Sequence, residues 1–438
     1  MRSACPALAG RFSLLLVAAA AAAAGAARAE TLQDAWQQAL VHNQALAAAG
    51  SEVDAARADE RAARGARWPA VTGGVDYNRL NASPALDVAT STFAFQSGPI
   101  FRDNQYVAGS VQMQLPLYAG GRISAGIDAS RAGLAAASGN ESVVASTLRL
   151  QVADAYVGIL RSRRALQAAQ AQVDSLSAHV ADVERRVEDQ SVANSDLLAA
   201  RVALANAQAV RVQAASAVQI AQAGYNRLLD QPLERVPDLD DQIPVDPTLA
   251  DVPVETLIAR ALAARGEIKG ASAQAEALES QARAERGQLR PQLALTGGYV
   301  HLDNQILNRQ DYAMVGVGVT WSLFDGGRTR NRAAALDDAG HAQRSRIADL
   351  RSQIALQVRQ SWLGVRDAQA RMKTSGEAVA QAEENLRDCR QLYDAGLATN
   401  TQVLDAVALR TRAVNDRDDA TLDVSLSLLR LAYAVGTL

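Results

Sequence analysis

Few residues in this 438-residue chain combine a reactive type with a useful spacing. His42, His179, His301 and His341 show no metal-ligand spacing among themselves or with Cys389. The run Val315-Gly-Val-Gly-Val-Thr320 carries two glycines of a dinucleotide loop. It lacks the third glycine and a following βαβ helix, so it reads as small strand residues facing a lumen. No Ser-His-Asp elbow, P-loop or other nucleophile motif is present in the sequence. Neither an enzyme nor a cofactor or metal site is therefore expected, and the chemistry must be that of surfaces.

The first 29 residues have the pattern of a secretory signal. Arg2 and Arg11 are the positive region, Phe12–Ala24 is an apolar run of 13 residues, and Ala27-Arg28-Ala29 is a small-x-small cleavage site before Glu30. A run of 13 is shorter than the roughly 20 residues a membrane helix needs. Removing Arg2, Arg11 and Arg28 leaves 41 basic residues against 47 acidic ones, a formal charge of −6. That balance excludes nucleic acid as an expected partner. Cys5 lies upstream of the apolar run, so it is not the lipid-bearing cysteine that directly follows a lipoprotein leader. Cys389 is then alone and cannot form an intrachain disulfide. No other stretch reaches 18 apolar residues, so the exported chain is periplasmic, secreted or a β-barrel.

Self-similarity organises the rest. Leu115-Pro-Leu-Tyr-Ala-Gly-Gly-Arg122 matches Trp321-Ser-Leu-Phe-Asp-Gly-Gly-Arg328 at an offset of 206. Val192-Ala-Asn-Ser-Asp-Leu-Leu198 matches Ala398-Thr-Asn-Thr-Gln-Val-Leu404 at the same offset. Upstream, Arg67-Trp68-Pro69 and Thr72-Gly-Gly74 match Leu289-Arg290-Pro291 and Thr296-Gly-Gly298 at 222 to 224. The difference falls in residues 78–105, read as a loop that is longer in the first repeat.

The pattern predicts two tandem repeats, 30–229 and 250–438, joined by a linker at 230–249. The first holds a helix over 31–66, strands near 68–77 and 106–118, and helices over 124–190 and 197–229. The second holds a helix over 250–288, strands near 292–302 and 312–323, and helices over 330–395 and 402–435. Alanine, leucine, arginine and glutamine supply strong helix propensity. Sixty-seven helical residues extend about 100 Å, which calls for a coiled coil or tube. Gly120-Gly121 and Gly326-Gly327 are expected to let a strand turn into a helix.

The second strand of each hairpin alternates. Val107, Gly109, Val111, Met113, Leu115 and Leu117 share one face, and Ala108, Ser110, Gln112 and Gln114 the other. Ala313, Val315, Val317, Val319, Trp321 and Leu323 oppose Gly316, Gly318, Thr320 and Ser322 in the same parity. Such alternation fits an outer-membrane strand and equally a half-buried strand of a soluble sandwich. Aromatics favour the membrane: 11 of 18 fall in 68–118 and 291–324. Four strands cannot close, and an open edge in hydrocarbon leaves backbone groups unpaired. The chain must then assemble in two, three or four copies. A periplasmic or secreted coiled-coil scaffold or adhesin without channel activity is the alternative.

This duplicated order of helix, strand, strand and helix, with the P-L-Y-x-G-G-R turn and the paired V-A-N-S-D-L-L and A-T-N-T-Q-V-L turns, resembles the TolC-like outer-membrane efflux proteins. The resemblance spans Glu30 to Gly436. It implies a mixed α+β membrane protein in the cell outer membrane: four antiparallel transmembrane strands per chain, a 12-stranded barrel in a homotrimer, and a helical coiled-coil tunnel in the periplasm. It implies a passive exit duct for type I protein secretion or multidrug efflux. The partners would be outer-membrane lipid, a periplasmic membrane-fusion adaptor, and an inner-membrane ABC or proton-driven transporter.

The resemblance also assigns sites. Val192, Ala193, Asn194 and Ser195 would form one adaptor-contact tip. Leu397, Ala398, Thr399, Asn400 and Thr401 would form the other. Asp196, Gln402 and Asp405 would line the periplasmic entrance, with Asp405 the acidic member of its pair and Ala398 standing where some members carry a basic partner. By its position alone, Asp196 is also a helix N-cap or first-turn carboxylate.

Overall fold

The computed structural model describes residues 29–90 and 92–438, so the expected leader and Cys5 lie outside the described residues. Contacts divide the chain into two compact units. One takes in the chain up to Ala47, Val144–Ala264 and Ile354–Leu438; the other is Ala48–Val143 with Arg265–Gln353.

Helices α1 (Leu32–His42) and α2 (Gln44–Gly65) lead to β1 (Ala70–Arg79), a small hairpin β2–β3 (Ala85–Ala89, Ala94–Pro99), and β4 (Gln105–Tyr118). Helix α3 (Arg122–Glu188) and α4 (Asn194–Leu228) complete the first repeat. The second repeat runs α5 (Val254–Ala264), α6 (Gly266–Gly287), β5 (Gln292–Leu302), β6 (Asp311–Thr320), α7 (Arg328–Asp394) and α8 (Asn400–Val435). By length and composition α3 could cross a bilayer, but its 67 residues are more than three times the roughly 20 that a span uses.

Three differences from the sequence reading have local causes. The helix expected over 31–66 breaks at Asn43, whose Oδ1 accepts from the backbone N–H of Ala45 (3.0 Å) and Leu46 (3.3 Å). Its side chain caps the next helix instead of continuing the last, the habit of asparagine. The helix expected over 250–288 breaks likewise at Arg265, in extended conformation with ψ 128° and bonded to Glu267 at 2.7 Å. Residues 78–105 hold the hairpin β2–β3 within the loop.

Element ends also settle the offset. Leu32–His42 and Gln44–Gly65 map onto Val254–Ala264 and Gly266–Gly287 at 222, and α3 maps onto α7 at 206. The register agrees: Gly73 pairs with Val111 in β1–β4, and their counterparts Leu295 and Val317 pair in β5–β6. The Thr-Gly-Gly match at 224 is therefore two residues out, a resemblance between adjacent small residues on one strand.

In the second unit the sheet is antiparallel in the order β1-β4-β5-β6. Its register places Val71, Val75 and Tyr77 beside Val107, Val111 and Met113, then Leu295 and Leu293, then Val317 and Val319 on one face. The other face carries Thr72 and Gly74, Gln112 and Gln114, Thr296 and Gly298, and Gly316 and Gly318. Val75 is 79 % exposed and Val315 82 %, so the apolar face is uncovered. Where β4 passes into α3, Gly120 (φ 62°) packs so tightly that a Cβ would collide with the carbonyl oxygen of Gly287.

In the first unit, α1, α3, α4 and α8 bury a cluster that includes Leu32, Val152, Tyr156, Leu160, Tyr225 and Leu426. Glu30 is 9 % exposed and seated against it. The hydroxyl of Tyr225 donates to Glu30 Oε1 (2.7 Å), and Arg235 pairs with Oε2 (3.0 Å). Burial, first, and the hydrogen bond to Glu30 raise the Tyr225 pKa far above that of a free phenol.

Candidate functional site

Sequence reading pointed to the turns where α3 passes to α4 and α7 to α8, both in the first unit. Each long helix ends in a residue of left-handed conformation, Gln190 (φ 57°) and Gly396 (φ 72°), positions 206 apart. The carbonyls left over are closed by Ser191 N–H on Arg186 O (2.9 Å) and Leu397 N–H on Leu392 O (2.8 Å).

The following helices start differently. Thr399 caps α8 in a capping box: its side chain accepts from Gln402 N–H, and Gln402 Oε1 accepts from Thr399 N–H at 2.8 Å. Ala193 stands at the same place before α4 with no side chain to offer. Asp196 lies in the first turn of α4, where a carboxylate faces the positive end of the helix dipole.

A buried network ties the two turns together. Asn400, 3 % exposed, donates through Nδ2 to the carbonyl of Asp196 (3.0 Å). Its Oδ1 is then left to accept from His179 Nε2 at 2.7 Å, which puts the histidine proton on Nε2. The His179 ring tilts against Tyr393 at 5.6 Å. Over the Tyr393 ring, at 5.0 Å, lies the Arg186 guanidinium, which pairs with Asp182 (3.0 Å) and Asp394 (2.5 Å). Val180, Val183, Leu197 and Val403 fill the space beneath. Burial pushes the Tyr393 pKa up, and its hydroxyl has no hydrogen-bond partner among the described residues.

Each expected site residue can now be placed. Ala193, Asn194, Ser195, Leu397, Thr399 and Thr401 are exposed, Val192 and Ala398 are half-buried, and Asn400 is buried. Asn400 therefore ties the turns together and is closed to an outside partner. Gln402 closes the capping box. Asp405 is exposed and has no ion pair within 4.0 Å among the described residues. His179, Arg186, Tyr393 and Asp394 escaped the sequence reading; the available signal was Tyr393, an aromatic far from the strand windows.

Comparison with known proteins fits this geometry. The family described as "Outer membrane efflux protein" matches residues 35–229 and 257–437. The chain is 23 % identical over 428 residues to the outer membrane protein TolC of Vibrio cholerae serotype O1, covering 94 % of this chain and 91 % of that one. Its fold is similar to the Campylobacter jejuni CmeC outer membrane channel, with a TM-score of 0.79, 12 % identity and coverage of 93 % and 85 %. It is also similar to the outer membrane protein VceC of Vibrio cholerae, with a TM-score of 0.77, 19 % identity and coverage of 92 % and 96 %. At such identities these two likenesses are of fold. The chain belongs to the outer membrane efflux protein family, as a TolC-like transport protein of the outer membrane.

Proposed function

We propose that three copies of this chain form a passive exit duct: a 12-stranded barrel through the outer membrane and a helical tunnel below it. The observation that carries this reading is the one-sided sheet. Its uncovered face bears Val71, Val75, Val315, Val317 and Val319, while threonine, glutamine and glycine occupy the face behind. Apolar residues facing lipid and small polar residues facing water are what a barrel wall requires. Among the described residues, strands β1 and β6 each have a neighbour on one side only, and in hydrocarbon an open edge costs several kcal/mol for every unpaired group. Exposed Trp68, Tyr118, Trp321 and Phe324 at one end of the strands, with Tyr77 and Tyr299 toward the other, fit two aromatic bands at the membrane surfaces.

The helical turns form the periplasmic entrance in this reading. Asp405, exposed one turn beyond the capping box, would be repeated three times around it and favour cations. The exposed Leu397, Thr399 and Thr401, with Ala193 and Asn194, offer a surface to the helical hairpins of a periplasmic adaptor. The adaptor would join the duct to an energised inner-membrane transporter, ABC or proton-driven. That partner supplies the energy and selects the cargo, whether protein or small molecule; the duct itself performs no catalysis.

Planar-bilayer recording with the detergent-purified protein tests the reading. Discrete cation-favouring channels are expected, and Asp405→Ala should weaken both the cation preference and block by multivalent cations. Extraction into plain buffer without detergent, together with no conductance, would overturn the duct. Unchanged selectivity in Asp405→Ala would remove the acidic ring alone.

A further inference from the structure

The chain carries more acids than bases, yet one zone of it is strongly basic. In the second unit the sheet strands meet helices at residues 61–69, 119–127, 283–291 and 324–332. These four segments hold ten arginines, no lysine and two acids, Glu285 and Asp325. All ten arginines are exposed. The loops at the opposite ends of the strands show no such bias, since residues 79–105 and 303–311 hold three arginines against four aspartates. Resting on the barrel reading above, we propose that this arginine collar binds anionic phospholipid on the periplasmic side of the membrane, with Arg67 at its best-formed position.

Within the chain the collar is only partly neutralised. Arg61, Arg67, Arg122, Arg328 and Arg330 have no carboxylate within 4.0 Å among the described residues. Glu285 pairs with Arg332 at 3.5 Å, and Asp325 accepts from the backbone N–H groups of Gly327 and Thr329, both at 3.0 Å. Helix electrostatics accounts for part of the set. Arg64 and Arg286 stand in the last turns of α2 and α6, where a cation meets the negative end of the dipole. The same physics opposes others. Arg122 and Arg328 are the first residues of α3 and α7, at the positive end, and neither first turn holds an acid. Cations placed against their own helices call for an anion from outside the chain. The collar is also built twice: Arg61 and Arg64 recur as Arg283 and Arg286, and Arg122 as Arg328.

Position selects the partner. Exposed Trp68, Tyr118, Trp321 and Phe324 mark the level at which such a wall leaves hydrocarbon. The headgroup layer beyond is about 5–7 Å deep, and a helix rises about 1.5 Å per residue. Arg67, Arg122 and Arg290 lie within four residues of β1, β4 and β5, so they fall inside that layer. A guanidinium offers two parallel N–H groups that match two phosphate oxygens. Arg67 itself lines a groove of about 410 Å³ with Leu117, Tyr118, Ile123 and Ser124. Leu117 and Ile123 supply an apolar wall for an acyl chain, and Arg67 with the two hydroxyls supplies polar contacts for a phosphodiester. A zwitterionic lipid brings its own cation, which the collar repels; a lipid with net negative charge does not.

Lipid titration of the detergent-purified protein, followed by native mass spectrometry, tests the collar. Micelles doped with phosphatidylglycerol are expected to load it, and micelles doped with phosphatidylcholine are not. Arg67→Gln/Arg122→Gln should weaken phosphatidylglycerol binding about thirtyfold at low salt, since each arginine near an anionic surface is worth about fivefold. Raised salt should shrink that difference. Arg79→Gln/Arg309→Gln removes equal charge at the loop-side ends and should change nothing. Equal binding of the two lipids, or loss of binding through the loop-side pair instead, overturns the collar. So does lipid A, the phosphate-bearing lipid of the opposite leaflet, if it binds more tightly than phosphatidylglycerol through Arg67 and Arg122. A water-soluble monomer that needs no detergent overturns the barrel reading and the collar with it. A protein that inserts in bilayers yet is indifferent to headgroup charge overturns the collar alone.

Discussion

The turn between α3 and α4 and the turn between α7 and α8 occupy equivalent places in the two repeats, yet the second is far more tightly specified. At the second turn, glycine takes the left-handed position, Thr399 and Gln402 close a capping box, and Asn400 reaches across to the first repeat. The first turn forces Gln190 into a left-handed conformation and starts α4 at an alanine. The charged contact is one-sided too. Arg186 and Asp394 pair, but their counterparts 206 residues away are Leu392 and Glu188, which cannot. Duplication supplied two equal scaffolds, and side-chain identity made one of them the fastener. If the proposed duct closes and opens at these turns, such inequality sets the order of separation, since a joint with fewer buried polar bonds separates first.

The most damaging change to this contrast should be Asn400→Ala. It strands the Nε2–H of His179 in a buried site and removes the side-chain donor from the Asp196 carbonyl, at a cost of about 1–3 kcal/mol for the one unpaired group. Hydrogen exchange should quicken in residues 179–200 and 393–405 while the sheet is unaffected. Protection unchanged at those amides would mean that the network carries no weight.

A smaller effect is expected from Arg186→Leu, which gives this position the residue of its repeat counterpart. Arg186 is one-quarter exposed and Asp394 63 %, so screening limits the loss to about 1 kcal/mol. The result should be faster exchange around Tyr393 and a larger fraction of open time in bilayer recordings. If the open fraction stays put, the two turns do not differ in strength through this pair.

The smallest effect sharpens the comparison in the opposite direction. Gln190→Gly should stabilise the end of α3 by about 0.5–1 kcal/mol, because a side chain is costly in the left-handed region. Gly396→Gln should destabilise the end of α7 by a similar amount. Amide protection over residues 183–188 and 389–394 reads both. Equal responses of one sign would show that loop context, not backbone conformation, controls these ends.

Much of the fold is legible in the residues because it depends on short periods. Alternation over Val107–Leu117 and Ala313–Val319 fixes which side chains share a face, since the pleat has a period of two. Long proline-free runs rich in alanine, arginine and glutamine fix the great helices, and glycine pairs mark where strands give way to them. The repeat implies that whatever one half builds, the other builds again.

Only the tertiary structure decided where similar halves diverge. The cap that Asn43 makes is local, but the bond of its Nδ2–H to the carbonyl of Leu228, 185 residues along the chain, at 3.0 Å is announced by no local pattern. The choice between offsets of 222 and 224 required strand register, which neighbouring glycines leave open but hydrogen-bonded partners fix. His179, set aside when metal spacing was the only question, acquires a role through Asn400, far along the chain and close in space. Period and propensity act over a few residues and can be read in line. Polar satisfaction in a buried site depends on groups brought together from distant parts of the chain, and it exists only once the chain has folded.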